Sequence, residues 1–343
     1  MAPDTQAFDL SIVVLHNIEP SWAPAEISVV KNAVGKLVKE LIAEGHRVFE
    51  VPITNADLAA VLAPFDPGSH IIFNWCDELP GIPSSEAQVA VLLEQLGYTY
   101  TGSPPKTLAQ SWDKASVKAR LAEQGVPIPY GRVFDEFSVS DWDRFPAIVK
   151  PAFEHCSIGV DSNAVVLDEK ALQNRVAYVR EVLAQPALVE DFIDGREFHV
   201  TLWGNCQVDM LPPAEMDFSA FADLKDRLCT FDSKFTPGSR HYEEIKLCIP
   251  APMSEEELAA LWRTSDAAYR VSGCRDYARI DLRLCDEVFY VLDVNPNPDI
   301  SPDTSLAYAT EAAGIGYGAF ATQIVRLAGA RHPGRTAVTE ICS

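Results

Sequence analysis

Asp281, Asp293 and Asn295, with Arg279 close by in the chain, are the residues whose types and spacing point most directly to chemistry. They fall within residues 275–305, where two runs alternate with period 2 around the polar turn Cys285-Asp286-Glu287. That alternation predicts an antiparallel hairpin. On the first run Ala278, Ile280, Leu282 and Leu284 share one face, and Arg279, Asp281 and Arg283 the other. On the second run Tyr290, Leu292 and Val294 share a face, opposite Val291, Asp293 and Asn295. A register that pairs Asp281 with Asp293 gathers Asp281, Asp293, Asn295 and Arg279 on one surface. Three oxygen donors and a guanidinium there suit a Mg²⁺ and phosphate site. The same residues also suit a half-exposed hairpin with a plain polar outer face. The prolines of Asp293-Val-Asn-Pro-Asn-Pro298 favour a site, since they fix the backbone where a ligand would dock.

Further along the same line of chemistry, Lys150 ends an apolar run before a loop holding Ser157 and Gly159. A lysine there reaches a phosphate, while Ser and Gly let backbone N–H groups approach it. One glycine does not make a Walker A loop, and a lysine before a turn is equally an ordinary surface residue. Lys114 and Lys234 read the same way: singly surface residues, jointly phosphate clamps. Glu190 and Glu197 bracket a short turn, and a strand carboxylate beside it accepts a ribose hydroxyl or simply faces water.

These groups must be positioned by a chain of 343 residues, 48% hydrophobic, with a formal net charge of −21. The length allows two or three domains. The charge argues against nucleic acid, and no basic run opposes that view. The eight cysteines show no C-x-x-C and no metal-finger spacing, so they read as buried free thiols of a cytoplasmic protein. Asp4 and Asp9 without an apolar core exclude a signal peptide from the reading, and no apolar run reaches membrane-span length.

Residues 10–103 alternate strand and helix: strands at 10–15, 47–51 and 70–74, helices at 26–44 and 85–96 with Ser84-Ser85 as cap, Gly45 and Gly97 as stops. That pattern predicts a parallel sheet with ligand loops at 16–24 and 75–85. Pro104-Pro105 reads as a linker, and Asp113 as the N-cap of a helix over 114–123. Strands follow near 130–134, 147–150, 164–167 and 187–190, with a helix at 170–183. The last third reads as mostly antiparallel: a strand at 211–216, a polar loop from 218 to 242, a helix at 254–272, the hairpin, two closing helices at 306–312 and 319–327, and a loose tail after Ala330.

The order of these motifs resembles the ATP-grasp superfamily and, within it, the D-alanine–D-alanine ligase family. The likeness covers roughly residues 86–327. It is carried by Tyr-Thr-Gly-Ser (100–103), Trp-Asp-Lys-Ala (112–115), Ile-Val-Lys-Pro-Ala (148–152), Ser-Ile-Gly-Val (157–160) and Val-Glu-Asp-Phe-Ile-Asp-Gly-Arg-Glu-Phe (189–198). Tyr-Ala-Arg-Ile-Asp-Leu-Arg (277–283), Asp-Val-Asn-Pro-Asn-Pro (293–298) and Ala-Ala-Gly-Ile-Gly-Tyr (312–317) complete it. The resemblance implies an α/β chain, α+β in its C-terminal part, with three domains and ATP between two mixed sheets. Residues 1–104 would form an N-terminal substrate domain, 105–188 a central lid, and 189–343 a catalytic domain. It also implies that Lys114 and Lys150 touch the ATP phosphates, with the loop from Glu154 to Gly159 folding over them through Ser157 and backbone amides. Glu190 and its neighbours would hold adenine, Glu197 the ribose, and Lys234 the γ-phosphate from a closing loop. Asp281, Asp293 and Asn295 would bind two Mg²⁺ ions, or Mn²⁺ in their place. Arg279 would stabilise an oxyanion, and Ser305 would lie near the second substrate's carboxylate. The implied assembly is a homodimer and the implied reaction an ATP-dependent carboxylate–amine ligation through an acyl phosphate.

The chain departs from that family at three places. Its Gly-Gly-x-Ser-x-Glu loop is here Leu-His-Asn-Ile-Glu-Pro (15–20), with Glu19 as the substitute carboxylate. Its Leu-His-Gly is here Asn-Trp-Cys-Asp-Glu (74–78). In the metal loop Asp293 replaces Glu, and Asp299 stands where the family has Gly. The first two departures fall at the first substrate, so a substrate other than D-alanine is expected, with an amino acid and a small carboxylate or carbonyl compound as the pair. Alternatives are a ligase of specialised metabolism, of the type that makes mycosporine-like amino acids, a phosphotransferase that stops at the phosphorylated substrate, and a non-catalytic nucleotide binder.

Overall fold

The computed structural model describes residues 10–136, 139, 141–155 and 157–334. Asp4 and Asp9 lie outside them, as do Cys156 and Cys342. Among the described residues no helix is long and apolar enough to cross a membrane.

The first unit alternates β1 (Ser11–Asn17), α1 (Pro24–Ala43), β2 (Val48–Ile53), α2 (Leu58–Leu62), β3 (His70–Trp75), α3 (Glu86–Gln95) and β4 (Thr99–Tyr100). All its strands are parallel, in the order β2-β1-β3-β4. Ile12 to Leu15 are all buried, so β1 is covered on both faces, as a parallel sheet requires. The helical periodicity of α1 buries Val34, Leu37 and Leu41, and Gly45 at φ +91° follows its end. Ser85 stands at the N-cap of α3 as expected, but its hydroxyl donates to the Ile82 carbonyl and accepts from Leu79 N–H instead of capping.

The chain then forms α4 (Pro105–Ser111) and α5 (Lys114–Glu123). The residues read as a linker start α4, because Pro105 at the first helical position is already set at a helical φ. Asp113 caps α5 as expected, its Oδ1 accepting from Ser116 N–H at 3.0 Å. An antiparallel sheet follows, made of β5 (Gly131–Phe134), β6 (Ala147–Pro151), β7 (Val165–Val166) and β8 (Ala187–Asp191), in the order β5-β8-β6-β7. It is backed by α6 (Glu169–Val182) through Leu172, Val176 and Val179.

The third sheet takes β9 (Arg196–Gly204), β10 (Val208–Met210), β11 (Ala214–Asp217), β12 (Lys246–Cys248), β13 (Asp276–Cys285) and β14 (Val288–Asn295). Its order is β12-β11-β9-β13-β14, with β10 on β9, and all its pairings are antiparallel. The stretch read as a polar loop carries two short helices, α7 (Phe231–Phe235) and α8 (Arg240–Glu244), each capped by a hydroxyl, Thr230 and Ser239. α9 (Glu255–Ser272) opens with a Ser254/Glu257 capping box and packs Leu261, Ala268 and Tyr269 on Ala278, Ile280 and Leu282. That fills one face of the hairpin and leaves the polar face for the site. The turn between β8 and β9 runs so close to β13 that a Cβ on Gly195 would stand 2.0 Å from the Leu284 carbonyl oxygen.

α10 (Ser305–Ala312) and α11 (Tyr317–Gly329) return to the first sheet, where Leu306, Phe320 and Ile324 join Ile12, Ile71 and Leu37 in one core. The tail expected after Ala330 is tied down at its start. Arg331 pairs with Asp276 at 2.5 Å, and His332 bonds the Pro67 carbonyl at 3.0 Å; the rest, from 335, lies outside the described residues. The reading of the cysteines also changes. Of the free thiols Cys76 is buried, while Cys229, Cys248, Cys274 and Cys285 are only partly so, and Cys206 is held in a disulfide.

Candidate active site

The hairpin has the expected register: Asp281 faces Asp293, and Arg279 faces Asn295. The faces of the second strand differ from expectation. A bulge at Leu292, opposite the Asp281–Leu282 step, turns Val291 into the core with Phe289 and Val294. One extra residue on β14 inverts the alternation beyond it, so Asp293 and Asn295 share the site face with Tyr290 rather than with Val291. On the other side β13 pairs with β9, bringing His199 opposite Asp281 and Glu197 opposite Arg283.

Arg279 grips Asp281 with two bonds, 2.7 Å from Nε and 3.0 Å from the terminal nitrogen. Asn295 Nδ2 donates to Asp281 Oδ2 at 3.1 Å, which turns its amide oxygen away from Asp281. Lys114 Nζ reaches Asp293 Oδ2 at 2.8 Å. Burial alone would raise both carboxyls. The Arg279 charge, then His199, instead holds Asp281 low, and Lys114 with His155 and Lys150 holds Asp293 well below the usual range. Two ionised carboxylates and an amide oxygen on adjoining strands are the donor chemistry a hard divalent cation takes.

α5 carries two lysines one helical turn apart, so Lys114 and Lys118 share a face. Lys118 pairs with Glu190, and Lys150 Nζ joins the same carboxylate at 3.1 Å. Glu190 is wholly buried. Its carboxylate gathers two lysines. Burial works against its charge, but Lys118 and Lys150 outweigh that and hold the carboxyl low. Burial pulls Lys118 down.

Glu197 is buried against Arg283, at 2.8 Å from Nε. Burial takes the His199 imidazole down to about 4, and its Nδ1 lies 3.3 Å from the hydroxyl of Ser305 at the start of α10. Glu197, His199 and Cys229 offer ligand atoms within 4.8 Å of one another, but Arg283 and Lys234 put two cations against that group, which opposes a divalent ion. Lys234 sits on α7, and its charge bears on Asp281 and His199. Ser157, at φ +60°, donates to the Cys229 carbonyl at 3.2 Å and so stitches its loop to the segment before α7. Glu154 accepts from Gln185. Glu19 is buried beside Gly81, and Asp299 is exposed with Oδ1 accepting from Ser301 N–H at 2.8 Å.

Residues 135–326 match the family model for the D-ala D-ala ligase C-terminus. The D-alanine–D-alanine ligase of Erythrobacter litoralis is 30% identical over 336 residues, 93% of each chain. The chain belongs to the D-alanine–D-alanine ligase family. It is thus an ATP-dependent carbon–nitrogen ligase of the ATP-grasp fold. An uncharacterized Sinorhizobium fredii protein, y4sG, is 34% identical over 274 residues, 79% of this chain and 78% of its own. In fold, the chain is similar to the D-alanine–D-alanine ligase from Bacillus anthracis solved with ATP, at TM-score 0.71 and 21% identity, over 93% of this chain and 97% of that one.

In this D-alanine–D-alanine ligase relative, sequence reasoning passed over Lys118, His199 and Arg283. Lys118 had a signal, its i,i+4 spacing from Lys114. Arg283 had a weaker one, its place on the polar face with Arg279 and Asp281. His199 had none, because its neighbours arrive from β13 and α10.

Proposed function

We propose that this ligase joins a carboxylate to an amine through an acyl phosphate, with ADP and phosphate as products, and that its first substrate is not D-alanine. The observation that carries the reading is the hairpin register that sets Asp281 against Asp293 and Arg279 against Asn295. In the first step a substrate carboxylate oxygen attacks the γ-phosphorus of ATP. The bond to the β,γ-bridging oxygen breaks, and ADP leaves with that oxygen. Lys114 and Lys150 face the phosphates, and Lys234 meets the γ-phosphate from α7. Asp281, Asp293 and Asn295 would hold Mg²⁺, two ions by family likeness, with Mn²⁺ able to replace it. Such ions supply charge neutralisation at the transferred phosphoryl group. In the second step the amine adds to the acyl carbon, Arg279 donates to the oxyanion, phosphate leaves and the amine gives up a proton.

The remaining residues orient the partners. Glu197 offers the ribose the oxygen that Arg283 leaves open. Ser157 and the loop from Glu154 cover the phosphates and exclude water, which would hydrolyse an acyl phosphate. Glu19 stands on the first-substrate side, Asp299 and Ser305 on the second. Residues 1–104 then supply the first-substrate loops, 105–188 the lid and 189–343 the catalytic sheet, in a homodimer that works in the cytoplasm, where ATP is abundant.

The test is incubation with MgATP, pools of D- and L-amino acids and small acids or ketones, reading ADP, phosphate and product mass. ADP and phosphate that need both co-substrates, with a mass equal to their sum less water, support the ligase. ADP without free phosphate means that transfer stops at the phosphorylated substrate. A product that condenses an amino acid with a carbonyl compound points to the specialised-metabolite branch.

A further inference from the structure

Carboxylates from four segments meet at the carboxyl ends of β1 and β3, where a parallel sheet opens its crevice. Asp77 and Glu78 follow β3, Glu86 starts α3, Asp299 lies in the loop after β14, and Glu19 follows β1. Asp77 is exposed, and its backbone N–H donates to Asn17 Oδ1 at 3.2 Å, which ties the loop after β3 to the end of β1. Glu86 is 9% exposed, and its Oε1 accepts from Asn297 Nδ2 at 2.8 Å. The charges that act on Asp77, Glu78 and Glu86 are one another's, with those of Glu19 and Asp299; no lysine or arginine is among them. Burial first, and the like charge of Asp77 second, push Glu86 up to about 8.

Acidic clusters are commonly just solvated, but this one has buried acceptors that lack donors. Glu19 is 8% exposed; its Oε2 accepts from Gly81 N–H at 3.0 Å, and its Oε1 is buried with no hydrogen-bond partner. Asn74 Oδ1, on β3 and 2% exposed, is also without one. An orphaned buried acceptor keeps its full desolvation cost until a ligand brings a donor. The orphaned Glu19 oxygen and carboxyls without a cationic partner call for a ligand with several N–H donors and positive charge, which would also draw the raised carboxyls back to their ionised form.

We propose that this crevice, lined by Asp77, Glu78, Glu86 and Asp299 with Glu19 in its wall, receives an alkylammonium or guanidinium side-chain group, so that one substrate is a basic amino acid. A single α-ammonium engages one carboxylate; Asp77, Glu86 and Asp299 remain for a second cationic group. The proposal rests on the ligase reading and adds to it the charge of the substrate.

The experiment measures amide product, ADP and phosphate with MgATP and D- and L-forms of lysine, ornithine and arginine, each against its neutral analogue norleucine, norvaline or citrulline. Each is offered with itself and with the small-acid pool. The basic member is expected to exceed its analogue in kcat/KM by about 100-fold. Asp77→Asn is expected to raise KM for the basic substrate about tenfold or more while KM for ATP stays unchanged. Equal turnover of neutral analogues, or an Asp77→Asn variant with unchanged KM, overturns the cation site while amide and phosphate formation leave the ligase standing. Absence of amide with every pair counts against the ligase reading. In that case calorimetric titration with arginine and agmatine decides the crevice: binding that Asp77→Asn abolishes supports it, and no binding of either overturns it.

Discussion

Replacing Glu190 with Gln removes the charge that holds two lysines inside the protein. Glu190 has no exposed surface, while the side chains of Lys118 and Lys150 are 8% and 17% exposed. Deleting one member of a buried ion pair costs about 3–5 kcal/mol, because the remaining charge is left without compensation. The lower end, about 3 kcal/mol, applies here, since Lys150 has some access to water and Lys118 can shed its proton. Unfolding entropy of about 2.1 cal/mol/K per residue, taken over the full chain, converts that loss to a Tm drop of about 4 °C. The drop is larger if the central sheet melts by itself. The pH dependence carries the same physics. In Glu190→Gln the burial that already lowers Lys118 acts without its carboxylate. Folded protein then binds fewer protons than unfolded, so stability rises with pH, and the deficit should be greater at pH 6 than at pH 9. Scanning calorimetry of both proteins across that range is the assay. A Tm within about 1 °C of wild type at every pH would refute the claim that this triad is energetically buried.

Asp281→Asn should lower turnover by about a hundredfold or more with the circular dichroism spectrum kept and a Tm lower by a few degrees, since Arg279 loses its charged partner; activity close to normal would remove Asp281 from the metal set. Glu86 gives a second pH signature. Burial first, then Asp77, raises its carboxyl from 4.5 to about 8. The stability its neutral form contributes is complete below pH 4.5 and is lost as pH rises through about 8. Wild-type Tm should therefore fall between pH 5 and pH 8.5 more steeply than that of Glu86→Gln, and parallel curves would show that Glu86 titrates normally.

Much of this architecture was legible because its signals are local. Period-2 alternation marked β13 and β14, and the register followed from matching their polar faces. The Asp113 cap lies within three residues of the N–H group it satisfies. The helix α4 was missed because its opening prolines signal a linker and a first helical turn alike. The short α7 and α8 were missed because five residues hold too little periodicity to stand out from polar loop.

By itself the sequence determined which residues bear charge, the order of the longer strands and helices, and the motifs that mark a ligase of this family. Only the tertiary structure decided how those charges are shared. The bulge at Leu292 needed the partner strand, since an extra residue is defined only against the one it faces. Glu190 became a clamp for Lys118 and Lys150, because burial forbids a lone charge and brings distant partners together. The acidic crevice exists only where β1, β3, α3 and the loop after β14 converge, and no spacing along a chain encodes a convergence of four segments.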